Sequence, residues 1–274
     1  MAERLSLQLA FALIALIAAI FYSGKAQFIF NKINQIIHGK RGCSPIVSIG
    51  HVTLHYFGTR GRAEGIRLIM EDFEIPYAET NFSSADWPGI KEKGIETGLF
   101  TFGQVPAITT TTGLQLVQSK VIMHHIGRSV GLDCDCSDIH VCEMLVFGSE
   151  DLRGKLGPVL YSPNFSAKLR DDHIQSVVYT WLSYFEKLAP VEDNSTDVDG
   201  LYFASERLTW VDYVIFDLLD TYVEFGRLRF DDDEALAVDV LANYPKLKAF
   251  YENFSSRPKI ARYLKAERRV PFRL

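Results

Sequence analysis

Residues 52–82 read VTLHYFGTRGRAEGIRLIMEDFEIPYAETNF, and this stretch decides the fold of the chain. Its first six residues, VTLHYF, have the β-branched and aromatic composition of a strand. A helix follows, because apolar residues then recur at i, i+3, i+4 and i+7. These positions are Ile66, Ile69, Met70 and Phe73. A second short strand at residues 77–82 completes a βαβ unit.

Downstream of this unit, the pattern predicts two more strands and a closing helix. A polar loop containing Trp87 leads to a strand at residues 105–108, and a second strand ends at Val117. A helix then runs from Ser119 to Gly131. Residues 50–132 are therefore predicted to form an α/β domain of the order βαβ-ββα.

Helical periodicity replaces strand patterns after an acidic connector at residues 133–138. The clearest apolar stripe keeps helical spacing over four turns. It comprises Ile174, Val177, Val178, Trp181, Leu182, Phe185 and Leu188. Further helices fit residues 210–225, 244–254 and 259–268, so residues 139–274 are predicted to form an all-helical second domain.

Composition excludes some classes of function. The chain has a formal net charge of -5 and a pI near 5.8, whereas a nucleic-acid-binding domain is typically strongly basic. The four cysteines are too few and too clustered for a disulfide framework, so the folded part need not be oxidised. Cys134, Cys136, His140 and Cys142 lack the paired Cys-x-x-Cys spacing of structural zinc, and we expect no metal.

The first residues differ from the rest of the chain. Residues 5–22 read LSLQLAFALIALIAAIFY without a charge, near the minimum length for a bilayer span. A cleaved signal peptide is the rival interpretation. We expect residues 1–24 to be a single-pass membrane anchor and residues 25–49 a linker. Basic residues follow the run, so the positive-inside rule predicts a cytosolic catalytic domain.

A second signal conflicts with that topology. Four asparagines lie in Asn-x-Ser/Thr sequons, which are used only when a domain is lumenal or secreted. They are Asn81, Asn164, Asn194 and Asn253. A lumenal or secreted location therefore stays open as the alternative.

Several segments resemble the cytosolic-type glutathione transferases. LHYFGTRGRAEGIRL is similar to the first strand and helix of that family, FGQVPAI to its cis-proline segment and LQLVQSKVI to its Gln-Ser turn. Further similar segments are DWPGIK, GSEDLRGKLGPVLYSPNF and SERLTWVDYVIFDLLD. The pi class is the most similar, through EDLR and HHIGRSVGL, with sigma-like ADWPGIK and mu-like YLKAERRVPFR elements. The resemblance covers about residues 50–274 and implies a thioredoxin-like domain followed by an all-helical domain.

Tyr56 is the catalytic residue that the resemblance implies, with glutathione as co-substrate. A free thiol has a pKa of about 8.5 and is only a few per cent thiolate at pH 7. A phenol that donates a hydrogen bond to the sulfur stabilises the thiolate. Outside this motif, Tyr56 would be read as a packed strand aromatic.

The resemblance also implies a set of glutathione-binding residues. Gln118 and Ser119, at a helix N-terminus, are assigned to the γ-glutamyl end, because free N–H groups there suit a carboxylate. Val105, before a cis Pro106, is assigned to the cysteinyl part. The other implied residues of this set are Phe57, Arg62, Trp87, Gln104 and Asp151.

The glycyl carboxylate is assigned to Trp87 and a lysine. The stretch from Trp87 to Gln104 is several residues longer than in the pi or mu class, which leaves Lys91 and Lys93 as alternatives. We favour Lys91, because it keeps the mu and sigma spacing.

Three further residues take implied roles outside this set. Asp151 matches an aspartate that reaches the glutathione of the partner subunit, and Phe102 matches a dimer-interface aromatic, so a homodimer is expected. Tyr161 matches a tyrosine that overhangs the electrophile. Thr209 and Asp212 match a structural N-capping box.

Three functions stay open at this point. The first is a detoxifying glutathione transferase that conjugates hydrophobic electrophiles. The second is a catalytically inactive ligand-binding or scaffold protein, suggested by the lengthened stretch after Trp87. The third is a glutathione-dependent isomerase of the prostaglandin synthase type, suggested by ADWPGIK.

Overall fold

The computed structural model describes residues 49–191, 200–230 and 237–273. These residues belong to one unit, Pro45–Leu274. The predicted anchor, the linker up to residue 48 and Asn194 lie outside the described residues. Within the described ranges, we find no helix that combines the length and the apolar character needed to cross a bilayer.

A four-stranded sheet forms the first half. Its strands are β1 (Val52–Phe57), β2 (Tyr77–Phe82), β3 (Ala107–Thr110) and β4 (Gln115–Val117), in the order β2-β1-β3-β4. β2 runs parallel to β1, whereas β3 is antiparallel to both β1 and β4. Alternate residues of β1 are buried, so that Tyr56 faces inward. The βαβ-ββα prediction is confirmed.

Three helices accompany the sheet, and one of them was not predicted. They are α1 (Glu64–Asp72), entered through a 3₁₀ turn at Gly61–Ala63, α2 (Trp87–Glu96) and α3 (Ser119–Ser129). Trp87 therefore begins a helix and does not lie in a loop, which corrects the sequence analysis. Pro88 suits the first turn of a helix, but the two glycines of WPGIKEKGIE weaken the sequence signal.

The second half is entirely helical over the described residues, as predicted. Its elements are α4 (Ile139–Leu160), α5 (Ala167–His173), a π turn (Ile174–Val178), α6 (Tyr179–Leu188), α7 (Trp210–Arg227), α8 (Pro245–Ser256) and α9 (Pro258–Leu264). α7 is buried along almost its whole length. Its N-terminus carries the predicted capping box, in which Thr209 and Asp212 exchange side-chain and backbone hydrogen bonds.

The predicted stripe at residues 174–188 is correct for its core-facing members, with two differences. Ile174, Val178, Leu182 and Phe185 are buried, whereas Leu188 is exposed at the end of α6. The π turn interrupts the ideal helical repeat at the start of the stripe.

The connector between the halves carries a disulfide that the sequence analysis missed. Cys134 is bonded to Cys142, which is buried in the first turn of α4. Cys136 is exposed and lies outside this bond. Spacing alone did not show that the chain entering α4 brings these two residues within bonding distance. The expectation that the folded part need not be oxidised is corrected accordingly.

Candidate active site

The Tyr56 hydroxyl is held at the start of the 3₁₀ turn. The residue lies near the carboxyl end of β1 and is buried, and its hydroxyl oxygen accepts the backbone N–H of Arg62 at 3.0 Å. With an acceptor position already used, the hydroxyl is free to donate its own proton. The Tyr56 hydroxyl can therefore donate a hydrogen bond to an anion and stabilise it.

Gly61 makes this arrangement possible. Its φ is +42°, and a Cβ added there would lie 2.5 Å from the Tyr56 hydroxyl oxygen. A side chain at position 61 would therefore both strain the backbone and displace the phenol. Only glycine combines this φ with such a close approach.

Arg153, on α4, fixes the same turn from the helical half. Its guanidinium donates to the Gly61 carbonyl at 2.6 Å, to Asp217 at 2.7 Å and to Thr221 at 3.3 Å. Burial alone would lower the pKa of Arg153, but Asp217 and Glu150 raise it, so the guanidinium stays charged. The turn that positions Tyr56 is thus tied to α4 and α7.

An ionic cluster lies beside the turn. Glu150 is paired with the Arg62 guanidinium and lies 3.4 Å from the Lys120 ammonium. Burial would raise the pKa of Glu150, but Lys120, Arg62 and Arg153 outweigh this effect and lower it. Burial, followed by repulsion from Arg153, lowers the pKa of Lys120 to about 8. Lys120 therefore titrates near neutral pH beside the residues assigned to glutathione.

The N-terminus of α3 has the features of a carboxylate site. Gln118 precedes the helix with a φ of +73°, and no side chain caps its first turn. Ser119, the first residue of α3, is only 7% exposed. Unsatisfied N–H groups, the positive end of the helix dipole and the Ser119 hydroxyl together suit an anion. Gln118, whose φ is positive immediately before the helix, has the kind of strained backbone conformation that is often found where a protein holds a ligand.

The Val105–Pro106 peptide bond is cis, as predicted. Val105 is half-buried immediately before β3, and Gln104 is exposed next to it. Both residues therefore lie on the chain that enters the sheet beside β1.

Trp87 packs into an aromatic cluster. Its ring lies 5.4 Å from Phe57, 5.8 Å from Phe82 and 5.6 Å from Phe100, measured between ring centroids. This packing explains why Trp87 is partly buried at the start of α2. It also places Phe57, another predicted site residue, directly between Tyr56 and Trp87.

The two candidate lysines of α2 have different surroundings. Lys91 extends over Gly103, since a Cβ added at Gly103 would lie 2.9 Å from its Cε atom. Both lysines are exposed, and Lys93 has no such neighbour among the described contacts. Lys91 therefore lies beside the segment that leads to Val105.

Tyr161 lies at the carboxyl end of α4, within electrostatic reach of Tyr56. Partial burial of its hydroxyl raises its pKa, and Tyr56 acts in the same direction, whereas Arg273 and Arg153 lower it. The ring is 64% exposed. Arg273 covers the Phe165 ring at 4.9 Å, so the C-terminal tail also borders this region.

Asp151 and Phe102 do not join the cluster around Tyr56. Asp151 is exposed on α4, on the same helical stripe as Met144 and Phe147, which are 52% and 69% exposed. Phe102 is 67% exposed on the loop after α2. Within the described residues, neither Asp151 nor Phe102 has a described contact with the residues around Tyr56.

A cavity of about 350 Å³ lies elsewhere, at the opposite end of β1 from Tyr56, bordered by His51, Tyr77 and Lys259. None of the residues described around Tyr56 borders this cavity.

Sequence reasoning missed Gly61, Lys120, Glu150 and Arg153 as individual site residues. All four lie inside quoted motifs, but their partners are far along the chain. Arg153 and Asp217, for example, are 64 positions apart. A charged residue inside an otherwise apolar helix stripe is the signal that points to such a pair.

Comparison with known proteins agrees with this geometry. Residues 52–128 match the family described as "Glutathione S-transferase, N-terminal domain", and residues 150–267 match "Glutathione S-transferase, C-terminal domain". The chain is 30% identical over 212 residues to the Caenorhabditis elegans protein "Glutathione S-transferase P", covering 77% of this chain and 90% of that protein. It is 28% identical over 211 residues to "Glutathione S-transferase 2" of Onchocerca volvulus, with the same coverage.

A solved structure shares the fold. The pi-class glutathione S-transferase of Onchocerca volvulus superposes with a TM-score of 0.63 at 26% sequence identity. The match covers 78% of this chain and 92% of that protein.

Proposed function

The chain belongs to the glutathione S-transferase family and is a glutathione transferase, and on that premise we propose that Tyr56 activates the thiol of bound glutathione. The observation that carries this proposal is the hydrogen bond from the Arg62 amide to the Tyr56 hydroxyl, which leaves the phenolic proton for the sulfur. A hydrogen bond from this proton favours the thiolate over the thiol. Each unit by which the thiol pKa falls corresponds to about 1.4 kcal/mol of preferential thiolate stabilisation.

Glutathione would lie between α3 and the segment before β3. The N-terminus of α3, with Gln118 and Ser119, takes the γ-glutamyl carboxylate, and the first turn of α3, which no side chain caps, supports this role. The backbone of Val105 pairs with the cysteinyl part. Gln104 and Phe57 border the same segment.

The glycyl end is proposed to meet Trp87 and Lys91. The position of Lys91 over Gly103 supports this choice over Lys93. Arg62 adds positive charge near the tripeptide, although its pairing with Glu150 moderates that charge.

The thiolate then attacks the electrophile. In a substitution reaction, a carbon–sulfur bond forms as the leaving group departs with its electron pair. In an addition reaction, the new carbanion or oxyanion takes up a proton. The Tyr161 hydroxyl, partly exposed beside Tyr56, is suited to polarise the leaving group or the oxyanion. The exposed ring of Tyr161 and the nearby Phe165 support a hydrophobic electrophile.

We further propose that the protein is a homodimer. Met144 and Phe147 are adjacent on the exposed face of α4, and Val121 on α3 and Phe102 are also more than half exposed. Apolar side chains exposed in this number are typical of an interaction surface. Asp151 shares the α4 face, which supports its assignment to the glutathione amine of the partner subunit.

An N-terminal membrane anchor belongs to the proposal on sequence grounds alone. The uncharged run at residues 5–22 supports it, and lipid-soluble electrophiles concentrate in bilayers. Flanking charge favours a cytosolic catalytic domain, whereas the Cys134–Cys142 disulfide supports the lumenal or secreted alternative.

Turnover of a generic aryl halide by the purified protein tests the proposal, with Tyr56→Phe measured beside it. We expect measurable conjugation and a fall in kcat/KM of about 10²-fold or more in the variant, because one anion-stabilising donor is removed. Absence of turnover together with failure to bind glutathione resin would favour the inactive-scaffold function.

A further inference from the structure

Sequons are far more frequent in this chain than its composition predicts. The chain has seven asparagines, 18 serines and 13 threonines among 274 residues. Random placement would put about one asparagine into an Asn-x-Ser/Thr sequon, whereas four are found. Glutathione chemistry accounts for none of these four asparagines.

The three described sequons place their asparagines at the surface. Asn81 lies on β2, an edge strand of the sheet, Asn164 lies in the loop after α4, and Asn253 lies on α8. All three are exposed. Across the described ranges, none of their side-chain amides makes a hydrogen bond, so each Nδ2 atom can carry a large substituent without the loss of a contact.

The serines of these sequons do have structural roles. Ser83 accepts the Asp86 N–H at 3.1 Å, Ser166 accepts the Leu169 N–H at 3.3 Å as the N-cap of α5, and Ser255 donates to the Glu252 carbonyl at 3.1 Å. Local structure thus explains the serines without explaining the asparagines that stand two residues before them.

The disulfide is an independent observation that points to the same compartment. Disulfides form and persist in the endoplasmic reticulum and outside the cell, and are rare in the cytosol. Cys134 and Cys142 form such a bond in the connector before α4. N-linked glycans are added on the same side of the membrane.

We propose that the folded unit is lumenal or extracellular and carries N-linked glycans on Asn81, Asn164 and Asn253. Each Asn Nδ2 forms a bond to the anomeric carbon of a polyprenyl-diphosphate-linked oligosaccharide, loses one proton and releases the polyprenyl diphosphate. In the same compartment, a thiol oxidant accepts two electrons and two protons as Cys134 and Cys142 join. This orientation is opposite to the one that the flanking charges favour, and it does not depend on the transferase activity.

The test is expression of the full chain in eukaryotic cells, followed by electrophoresis with and without peptide N-glycosidase. We expect the glycosidase to increase mobility, and each of Asn81→Gln, Asn164→Gln and Asn253→Gln to remove one mobility step. The variant Asn194→Gln identifies any further mobility step that comes from a glycan on the fourth sequon. Replacing asparagine is cleaner than replacing serine, because the serine hydroxyls support local structure.

Asn243 supplies the matched control. It is exposed but is followed by Tyr244 and Pro245, so it lies in no sequon, and Asn243→Gln should leave the bands unchanged. Maleimide labelling without reductant should spare Cys134 and Cys142. Identical mobility with and without glycosidase, or labelling of all four cysteines without reductant, would overturn the proposal. If one of the three variants keeps every mobility step of the wild type, the asparagine replaced in that variant carries no glycan.

Discussion

The proton of the Tyr56 hydroxyl is directed by its neighbours. The Arg62 amide occupies the oxygen at 3.0 Å, and Gly61 leaves no room for the ring to move toward the turn. The phenol is therefore held in one position before glutathione binds. Such preorganisation reduces the rearrangement needed in the transition state.

Replacing Gly61 tests this packing. In Gly61→Ala, the new Cβ would lie 2.5 Å from the Tyr56 hydroxyl oxygen, and alanine is disfavoured at a φ of +42°. We expect kcat/KM for aryl-halide conjugation to fall about 10²-fold, as for a misplacement of about 1 Å. Gly58→Ala is the matched control, because a Cβ there meets nothing within 4 Å. Equal activity of the two variants would contradict this role.

The lowered pKa of Lys120 should make the free energy of unfolding depend on pH. Burial and Arg153 lower its pKa from 10.5 to about 8, so between these values the unfolded chain binds more protons than the folded protein. The free energy of unfolding from this group should therefore rise as pH increases from about 8 to 10.5, and this gain is lost again as pH falls from 10.5 to about 8. Asp217 and Glu150 oppose the effect without cancelling it.

Urea unfolding at a series of pH values checks this expectation. In Lys120→Met, the rise in unfolding free energy above pH 8 should be smaller than in the wild type. Lys93→Met, at an exposed position of α2, serves as control and should keep the wild-type slope. The same slope in all three proteins would count against a buried Lys120.

At the scale of elements, local patterns predict the strands well and the short helices less well. Residues 52–57 and 77–82 form strands with the predicted bounds, whereas the strand predicted at residues 105–108 is observed at Ala107–Thr110, after the cis Pro106. α2 is not predictable in this way, since only Gly94 of the helix is fully buried and no apolar stripe forms. The π turn before α6 is likewise not predictable, because the apolar residues keep helical spacing in the sequence although the backbone repeat is interrupted there.

The helix α2 supports the proposal that Lys91 binds the glycyl carboxylate. It places Lys91 over Gly103, whereas no such contact is described for Lys93, although both lysines are exposed. We expect Lys91→Ala to raise KM for glutathione about tenfold or more, as for the loss of a charge-assisted hydrogen bond. Lys93→Ala should leave KM near the wild-type value. Steady-state kinetics at saturating electrophile measures both, and the reverse ranking would contradict the assignment.

At the scale of the whole molecule, the unpredicted features join distant parts of the chain. Arg153 connects α4 to the Gly61 turn and to α7. The C-terminal tail contacts the same region, because the Pro271 carbonyl accepts a hydrogen bond from the Arg60 N–H at 3.0 Å. The sequence shows charges in these segments but not their partners. The resemblance predicts Tyr56, Gln118 and Ser119 as candidate site residues. Charged residues of the same motifs, such as Glu150 and Arg153, were missed because their partners lie far along the chain.

The proposed dimer makes a prediction at this scale. Phe147→Asp places a charge on the exposed face of α4, where desolvation within an interface is costly. We expect it to convert the dimer to monomers in sedimentation velocity experiments. Val191→Asp changes a residue of similar exposure, 65% against 69%, away from α4 and should leave the sedimentation coefficient unchanged. A wild-type protein that sediments as a monomer would refute the dimer.

The pKa of the thiol of bound glutathione reports directly on its interaction with Tyr56. It is measured from the ultraviolet absorbance of the thiolate as the enzyme–glutathione complex is titrated, in the wild type and in Tyr56→Phe. We predict that the wild-type midpoint lies at least one unit below the free-thiol value of about 8.5, and that it returns toward that value in the variant. Equal midpoints in the two proteins would contradict a thiolate stabilised by Tyr56.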